Sequence, residues 1–347
     1  MRPPLKIKAP LAWLGPGRLV RHAAVVCDRG IVTYAGSSAG APPAEVRIEV
    51  EGFLMPAVAD RHVHIRLSDP AAVLLGGVAA VRDLAWPPDD IFPLADASEL
   101  PSFHGPRIRA AGPMLTGRGG YPSRAEWAPP GTGLELEGVE HARRAVADLA
   151  DRGAAAIKVS LNAEGGPTPS DAELSAIVDE ARRRDLPVTA HAQGPGQVER
   201  AVGAGVDELA HAPFSERLPD ALLEAAARSM RIVSTLDILS YGEVTPELRI
   251  ACDNLVRFRA AGGTVVYGTD LGNGPVPPGI HVREALLLHE AVRMTPEEVI
   301  AAMTAARLEP GAPADLVALG SSPLERMEAI GDLRLVLRAG RVVTERS

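Results

Sequence analysis

Lysine is almost missing from this chain. Of 36 basic residues only Lys6, Lys8 and Lys158 are lysine, and from residue 9 onward Lys158 stands alone. Cysteine is nearly as rare: Cys27 and Cys252 are the only two, which excludes a disulfide framework. The longest apolar stretch, AAVLLGGVAAV at 71–81, has 11 residues. A membrane span needs about 18 or more, so no membrane partner is expected. No apolar run follows the first charges of MRPPLKIKAP, so no secretory signal is expected and the cytoplasm is the expected location. Positive charge is not in excess either. With 44 acidic residues the net charge is −8, which argues against nucleic acid as a partner, because phosphate binding wants a basic face.

Glycine and proline are abundant, 34 and 31 of 347 residues, so many turns or long irregular loops are expected. The first fifty-odd residues carry short Val- and Ile-rich runs (22–28, 30–36, 45–52), and the chain returns to this style from about 313. Such runs read as strands. Chain termini often lie close together, so 1–55 and 309–347 are expected to form one small sandwich-like β-domain. Between them, at 56–308, eight strand-like runs alternate with amphipathic stretches. The runs are 56–65, 78–84, 107–112, 155–160, 186–192, 206–212, 231–238 and 264–270. Helical patterns occupy 139–153, 170–185, 194–205 and 219–230, the second opening on Ser170 as an N-cap. Eight such units suit an α/β fold of the (β/α)8 TIM-barrel kind. A doubly wound open sheet is the competitor, but no GxGxxG or P-loop follows any of the runs.

The ionisable residues in these runs share a position. His62 and His64 end run one, and their i, i+2 spacing puts them on one strand face. Lys158 ends run four, His191 run five, His211 run six and Asp270 run eight. In a parallel barrel those ends form one rim, where catalytic groups belong. Imidazole and carboxylate together suit Zn²⁺ and related divalent ions. Each residue alone has an ordinary structural explanation; six at one register of five strands do not arise readily by chance.

This constellation resembles the amidohydrolase superfamily, in particular its binuclear branch of imidazolonepropionase-like proteins and metal-dependent Xaa-Pro dipeptidases. PAVADRHVHI (56–65) is similar to the family's HxH strand, with Ala57 where glycine is usual. GAAAIKVSLNAEGG (153–166) and LPVTAHAQGPGQVERAVGAGVDELAHAPF (186–214) resemble its lysine and paired-histidine segments, and GTDLG (268–272) its aspartate strand end. The resemblance implies two divalent metal ions, most simply zinc. His62, His64 and Asp270 would hold one, His191 and His211 the other, and a CO₂-derived carboxylate on Lys158 would bridge them. A buried lysine can lose its proton and react with CO₂, whereas arginine cannot.

The implied activity is hydrolysis of an amide bond by a metal-bridging hydroxide, with Asp270 moving the proton. A dipeptide, an N-acyl amino acid or another peptide-derived molecule is the expected substrate, and a homo-oligomer is compatible. The alternatives are a mononuclear hydrolase or deaminase of a cyclic amide or amidine, and a scaffold without catalysis. The segment 112–133, rich in glycine and proline, is expected to be a functional loop. It places Tyr121 where the resembling family has a histidine, and Arg124 nearby. These two, with Tyr241 and His281, are the candidate substrate contacts.

Overall fold

Strand-forming runs at the two ends of the chain find their partners in each other. In the computed structural model, which describes residues 3–100 and 102–345, one eight-stranded sheet takes five strands from the N-terminal part. They are Leu5–Trp13, Leu19–Asp28, Ile31–Ser37, Val46–Glu49 and Phe53–Pro56. It takes three from the C-terminal part: Leu316–Leu319, Leu333–Arg338 and Arg341–Glu345. The junction is the antiparallel pairing of Leu54 with Ala318 and Met55 with Val317. Leu5, Ile7, Val25 and Val32 pack there against Leu316, Leu335 and Leu337, so neither end could bury its apolar face alone.

All eight central runs contain strands, and all are parallel. Val58–Val63, Val78–Asp83 and Arg107–Ala110 form one sheet. Met114–Thr116, Ile157–Asn162, Val188–Gln193, Glu208–Leu209, Arg231–Val233 and Thr264–Val266 belong to a second, whose edge is Gly133–Glu135. Backbone hydrogen bonds cross both gaps between these sheets. Asp270 N donates to His62 O (2.8 Å) and His64 N to Leu271 O (2.7 Å), joining the first run to the last. Ala155 N donates to Ala110 O (2.8 Å), joining the third to the fourth.

The helices follow their sequence signals. Val139–Asp151, Asp171–Arg183, Gln197–Ala204 and Asp220–Ala227 fall inside the four stretches with helical patterning. Ser170 caps the second in a reciprocal box with Glu173, satisfying two otherwise orphaned amide groups. Parallel strands need such crossovers, and the helices cover the sheet with alanine- and leucine-rich faces.

One expectation needs adjustment. The segment 112–133 is not irregular throughout. Gly112, at φ +79°, breaks the third run, and Met114–Thr116 then pairs with both Ile157–Asn162 and Gly133–Glu135. The loop proper is therefore 117–132, anchored at both ends by one parallel β-pair.

Candidate active site

Period-two alternation decides which side chains meet. Asp60 and His62 share one face of Val58–Val63, and His64 continues it. Lys158 and Asn162 share a face of Ile157–Asn162, as do Thr189, His191 and Gln193 of Val188–Gln193. The six ligand candidates converge, all buried. His62 Nε2 lies 3.1 Å, and His64 Nε2 3.3 Å, from Asp270 Oδ1. His211 Nε2 lies 3.0 Å from His191 Nδ1. Donor atoms of His62, His211 and Asp270 all fall within 4.8 Å of one another.

The outer nitrogen of each imidazole is already engaged. His62 Nδ1 sits 2.8 Å from Ala210 O and His64 Nδ1 3.2 Å from Ala85 O. His191 Nε2 faces Gln193 Oε1 at 3.1 Å, and His211 Nδ1 faces Thr235 Oγ1 at 2.9 Å. A ring nitrogen that meets a carbonyl must be the protonated one, so in neutral His62 and His64 the lone pair is left on Nε2. Those lone pairs point at the carboxylate oxygen of Asp270, itself an acceptor. His62 Nε2, Asp270 Oδ1 and Lys158 Nζ are buried without a hydrogen-bond partner. Acceptors pressed together without protons between them are costly unless a cation joins them. The residues present therefore fit a metal.

Strained backbone holds two members of this group. Asp270 has φ +56° and Thr235 +39°, conformations that L-residues adopt rarely and a β-branched residue most rarely. Asp270 is fixed by its amide bond to His62 O, and Thr235 by its amide bond to Gly268 O (3.1 Å). Asp60 braces the same seam, accepting from His62 N (3.0 Å) and Thr269 N (3.1 Å).

Burial disfavours charge on Lys158 and on three of the histidines, while His64, also desolvated, is held above the usual histidine range by its contact with Asp270. Desolvation pushes the Lys158 ammonium down to about 7, against the pull of Asp270. Desolvation likewise holds His62 and His211 well below the usual histidine range and His191 at about 4, with the Lys158 charge adding to each. Neutral imidazoles are the form that binds metal. Burial opposes ionisation of Asp270, yet the surrounding histidines hold its carboxyl well below the usual range. Glu208, fully buried, receives Arg82, Arg231 and the Thr189 hydroxyl.

Above the histidines opens a cavity of about 220 Å³. Tyr121 reaches it from the loop 117–132, its hydroxyl accepting from Trp127 Nε1 (3.2 Å) and its ring 5.2 Å from that of His191. The other three candidate contacts lie elsewhere. Arg124 is exposed, with its guanidinium over Gly119. Tyr241 is 45% exposed and packs on Gly274. His281 is buried, with Nε2 2.7 Å from Asp237 Oδ2. None of the three lines the cavity. Residues that do, beyond the candidates named from sequence, include Met114, Asn162, Gln193, Phe214, Ile238 and Leu239. Asn162 and Gln193 were within reach, at i+4 from Lys158 and i+2 from His191 on the same strand faces. GSSAG at 36–40, which has the spacing of a serine nucleophile elbow, is a turn in the terminal sheet and has no histidine partner among the described residues.

The model of the amidohydrolase family matches residues 53–343. The chain belongs to the amidohydrolase family. It is thus an amide-hydrolysing enzyme with a candidate metal site. Ochratoxinase from Aspergillus niger is 27% identical to it, over 95% of this chain and 84% of that protein. Its fold is shared by solved structures that include the following two. The crystal structure of A. niger ochratoxinase superposes with a TM-score of 0.84 at 23% identity, covering 99% of this chain and 96% of the other. A Xaa-Pro dipeptidase with bound methionine superposes at 0.83 and 19% identity, covering 99% and 100%.

Proposed function

We propose that this amidohydrolase cleaves the C–N bond of an amide at a binuclear metal centre on the strand ends. The two parallel sheets act as one closed (β/α)8 barrel over about 56–308, with 1–55 and 309–347 as the small β-domain beside it. His62, His64 and Asp270 would hold one ion and His191 and His211 the second, with Lys158 between them as its carboxylate derivative. The observation that carries this reading is the pair of unpartnered buried acceptors His62 Nε2 and Asp270 Oδ1, 3.1 Å apart, together with the buried and unpartnered Lys158 Nζ.

The donor set of four imidazoles and carboxylates suits zinc. When bound, such ions supply an activated water at neutral pH and polarise a carbonyl. The protein's own residues do the rest. Asp270, held ionised and anchored through its backbone to His62, accepts the proton of the attacking water and returns it to the departing nitrogen. Ala85 O, Ala210 O, Thr235 and Gln193 hold the imidazoles in the tautomers that metal binding needs. Tyr121, steadied by Trp127, sets a hydroxyl at the cavity wall.

A single-metal reading draws on the tight grouping of His62, His211 and Asp270. Metal analysis of the purified protein, with and without added bicarbonate during loading, separates the two. The binuclear reading expects about two ions per chain and release of amine from amide substrates. One ion per chain at full activity would replace it with the mononuclear mechanism.

A further inference from the structure

The cavity has a chemical bias of its own. Among the described residues, none that lines it is arginine or lysine. Lys158 lies below the floor with no exposed surface. The walls are Met114, Phe214, Ile238, Leu239 and the ring of Tyr121, and the polar groups facing in besides the ligand candidates are the amides Asn162, Gln193 and Asn273. Gln193 Nε2 in turn donates to the exposed Glu164 carboxylate (2.7 Å), which puts negative charge one residue from the wall. Two arginines near the rim are engaged elsewhere. Arg283 Nε is paired to Asp237 Oδ1 (2.8 Å), and Arg124 points over Gly119. At about 220 Å³ the space is also below the roughly 300–1,000 Å³ of sites that take drug-sized ligands.

We infer that the substrate is small and uncharged, an amide, urea or carbamate with an apolar acyl or amine part. This rests on the hydrolase reading above and narrows it away from dipeptides and N-acyl amino acids. A free α-carboxylate entering this cavity would lose its water and meet no guanidinium or ammonium to replace it. The positive charge it would find is that of the ions on the floor. There it would occupy the place of the bond to be cut. An uncharged molecule of the same shape has no such penalty, and its carbonyl can accept from Asn162 Nδ2 and from the Tyr121 hydroxyl.

The test uses the full-length protein, metal-loaded for turnover and metal-free for binding, and two ligands of one shape, 4-acetamidobenzamide and 4-acetamidobenzoate, with acetanilide as their unsubstituted parent. Liberated arylamine reports turnover, and ligand-observed NMR with metal-free protein reports binding. Both neutral anilides are expected to exceed the benzoate in kcat/KM by at least ~10-fold, the ratio that ~1.4 kcal/mol of desolvation produces, with the same ranking in binding. Arg124→Ala is expected to leave that ratio unchanged. Equal or better turnover and binding of the benzoate would overturn the inference. So would a ratio that widens in Arg124→Ala, because it would reveal a cationic receptor. If protein with full metal content released no amine from these three or from any other amide supplied, the binuclear hydrolysis reading would fail instead, and the binding ranking would still decide the question of charge.

Discussion

The floor of the site and its rim are built on different principles. On the floor, each imidazole is held at its outer nitrogen by a protein partner and sits on or just beyond a strand whose pleat dictates its direction. The rim is made of loops, 117–132, 235–245 and 271–281, whose direction depends on distant contacts. Of the four rim residues expected to touch substrate, one lines the cavity. His281, instead of facing the cavity, joins Arg283 on the Asp237 carboxylate and so braces the turn that carries Ile238 and Leu239. Strands specify where chemistry sits, and loops specify what may enter.

The comparison breaks most easily at Lys158. If the floor is an integrated metal centre, Lys158→Ala loses the second ion, and activity falls by more than the ~10–100-fold typical when only a ligand's supporting partner is removed. Lys158→Arg does no better, since a fixed cation in a site for two divalent ions adds repulsion. Short carboxylic acids added to Lys158→Ala restore part of both metal content and rate. Two ions per chain with near-normal turnover in Lys158→Ala would sink the lysine-bridged reading. The next largest effect is expected one shell out. Thr235→Val removes the hydroxyl on His211 Nδ1 while keeping the side-chain shape, and should weaken metal retention or activity by ~10–100-fold. Competition with a chelator measures it; unchanged retention would mean that the His211 orientation is set by packing alone.

The same contrast explains what could be read in the sequence. The eight runs, the four patterned helices and the co-location of His62, His64, Lys158, His191, His211 and Asp270 follow from local periodicity, which a single chain displays openly. Asn162 and Gln193 were equally legible, because they sit on the same strand faces as Lys158 and His191. Phe214, Ile238 and Leu239 were not. Phe214 lies five residues past Glu208–Leu209, beyond the reach of strand alternation, and Ile238 and Leu239 follow a turn that Glu284, about fifty residues later, holds by accepting the amides of Leu236 and Asp237 (both 2.9 Å). No spacing rule encodes such a clamp. Arg124 and Tyr241 have suitable side-chain chemistry but sit on loops whose orientation only the fold decides.

A milder change sharpens the rim side of the comparison. Trp127 donates to the Tyr121 hydroxyl and lays its ring 4.6 Å from that of His64, so it ties the loop to the floor. Trp127→Ala should raise KM several-fold, on the order of the 1–2 kcal/mol that one aromatic contact with its hydrogen bond contributes. Metal content should not change. Loss of metal in this variant would show that the loop is part of the floor and erase the distinction between the two regions.

The smallest expected effect is a slope. Glu284 is fully buried, and burial raises its carboxyl to about 7, against the lowering effect of the two amides it accepts. In the unfolded chain it titrates near the ordinary 4.5. Between those values the folded protein holds a proton that the unfolded chain has released, so the unfolded state binds fewer protons and unfolding free energy falls as pH rises. The stabilising effect of the neutral form is complete below about 4.5 and is lost by about 7, to a total on the order of 3 kcal/mol. Asp60 and Asp83, raised by burial to about 7 and about 6, slope the same way. Glu284→Gln keeps an acceptor for the turn and removes one titration. Denaturant unfolding of the metal-free variant across pH 4.5–7.5 should therefore show a shallower decline than the parent while retaining the part owed to Asp60 and Asp83. A parallel pair of curves would mean that the carboxylate of Glu284 stays ionised on the two amides, and that the clamp on Ile238 and Leu239 works through charge rather than through a neutral acid.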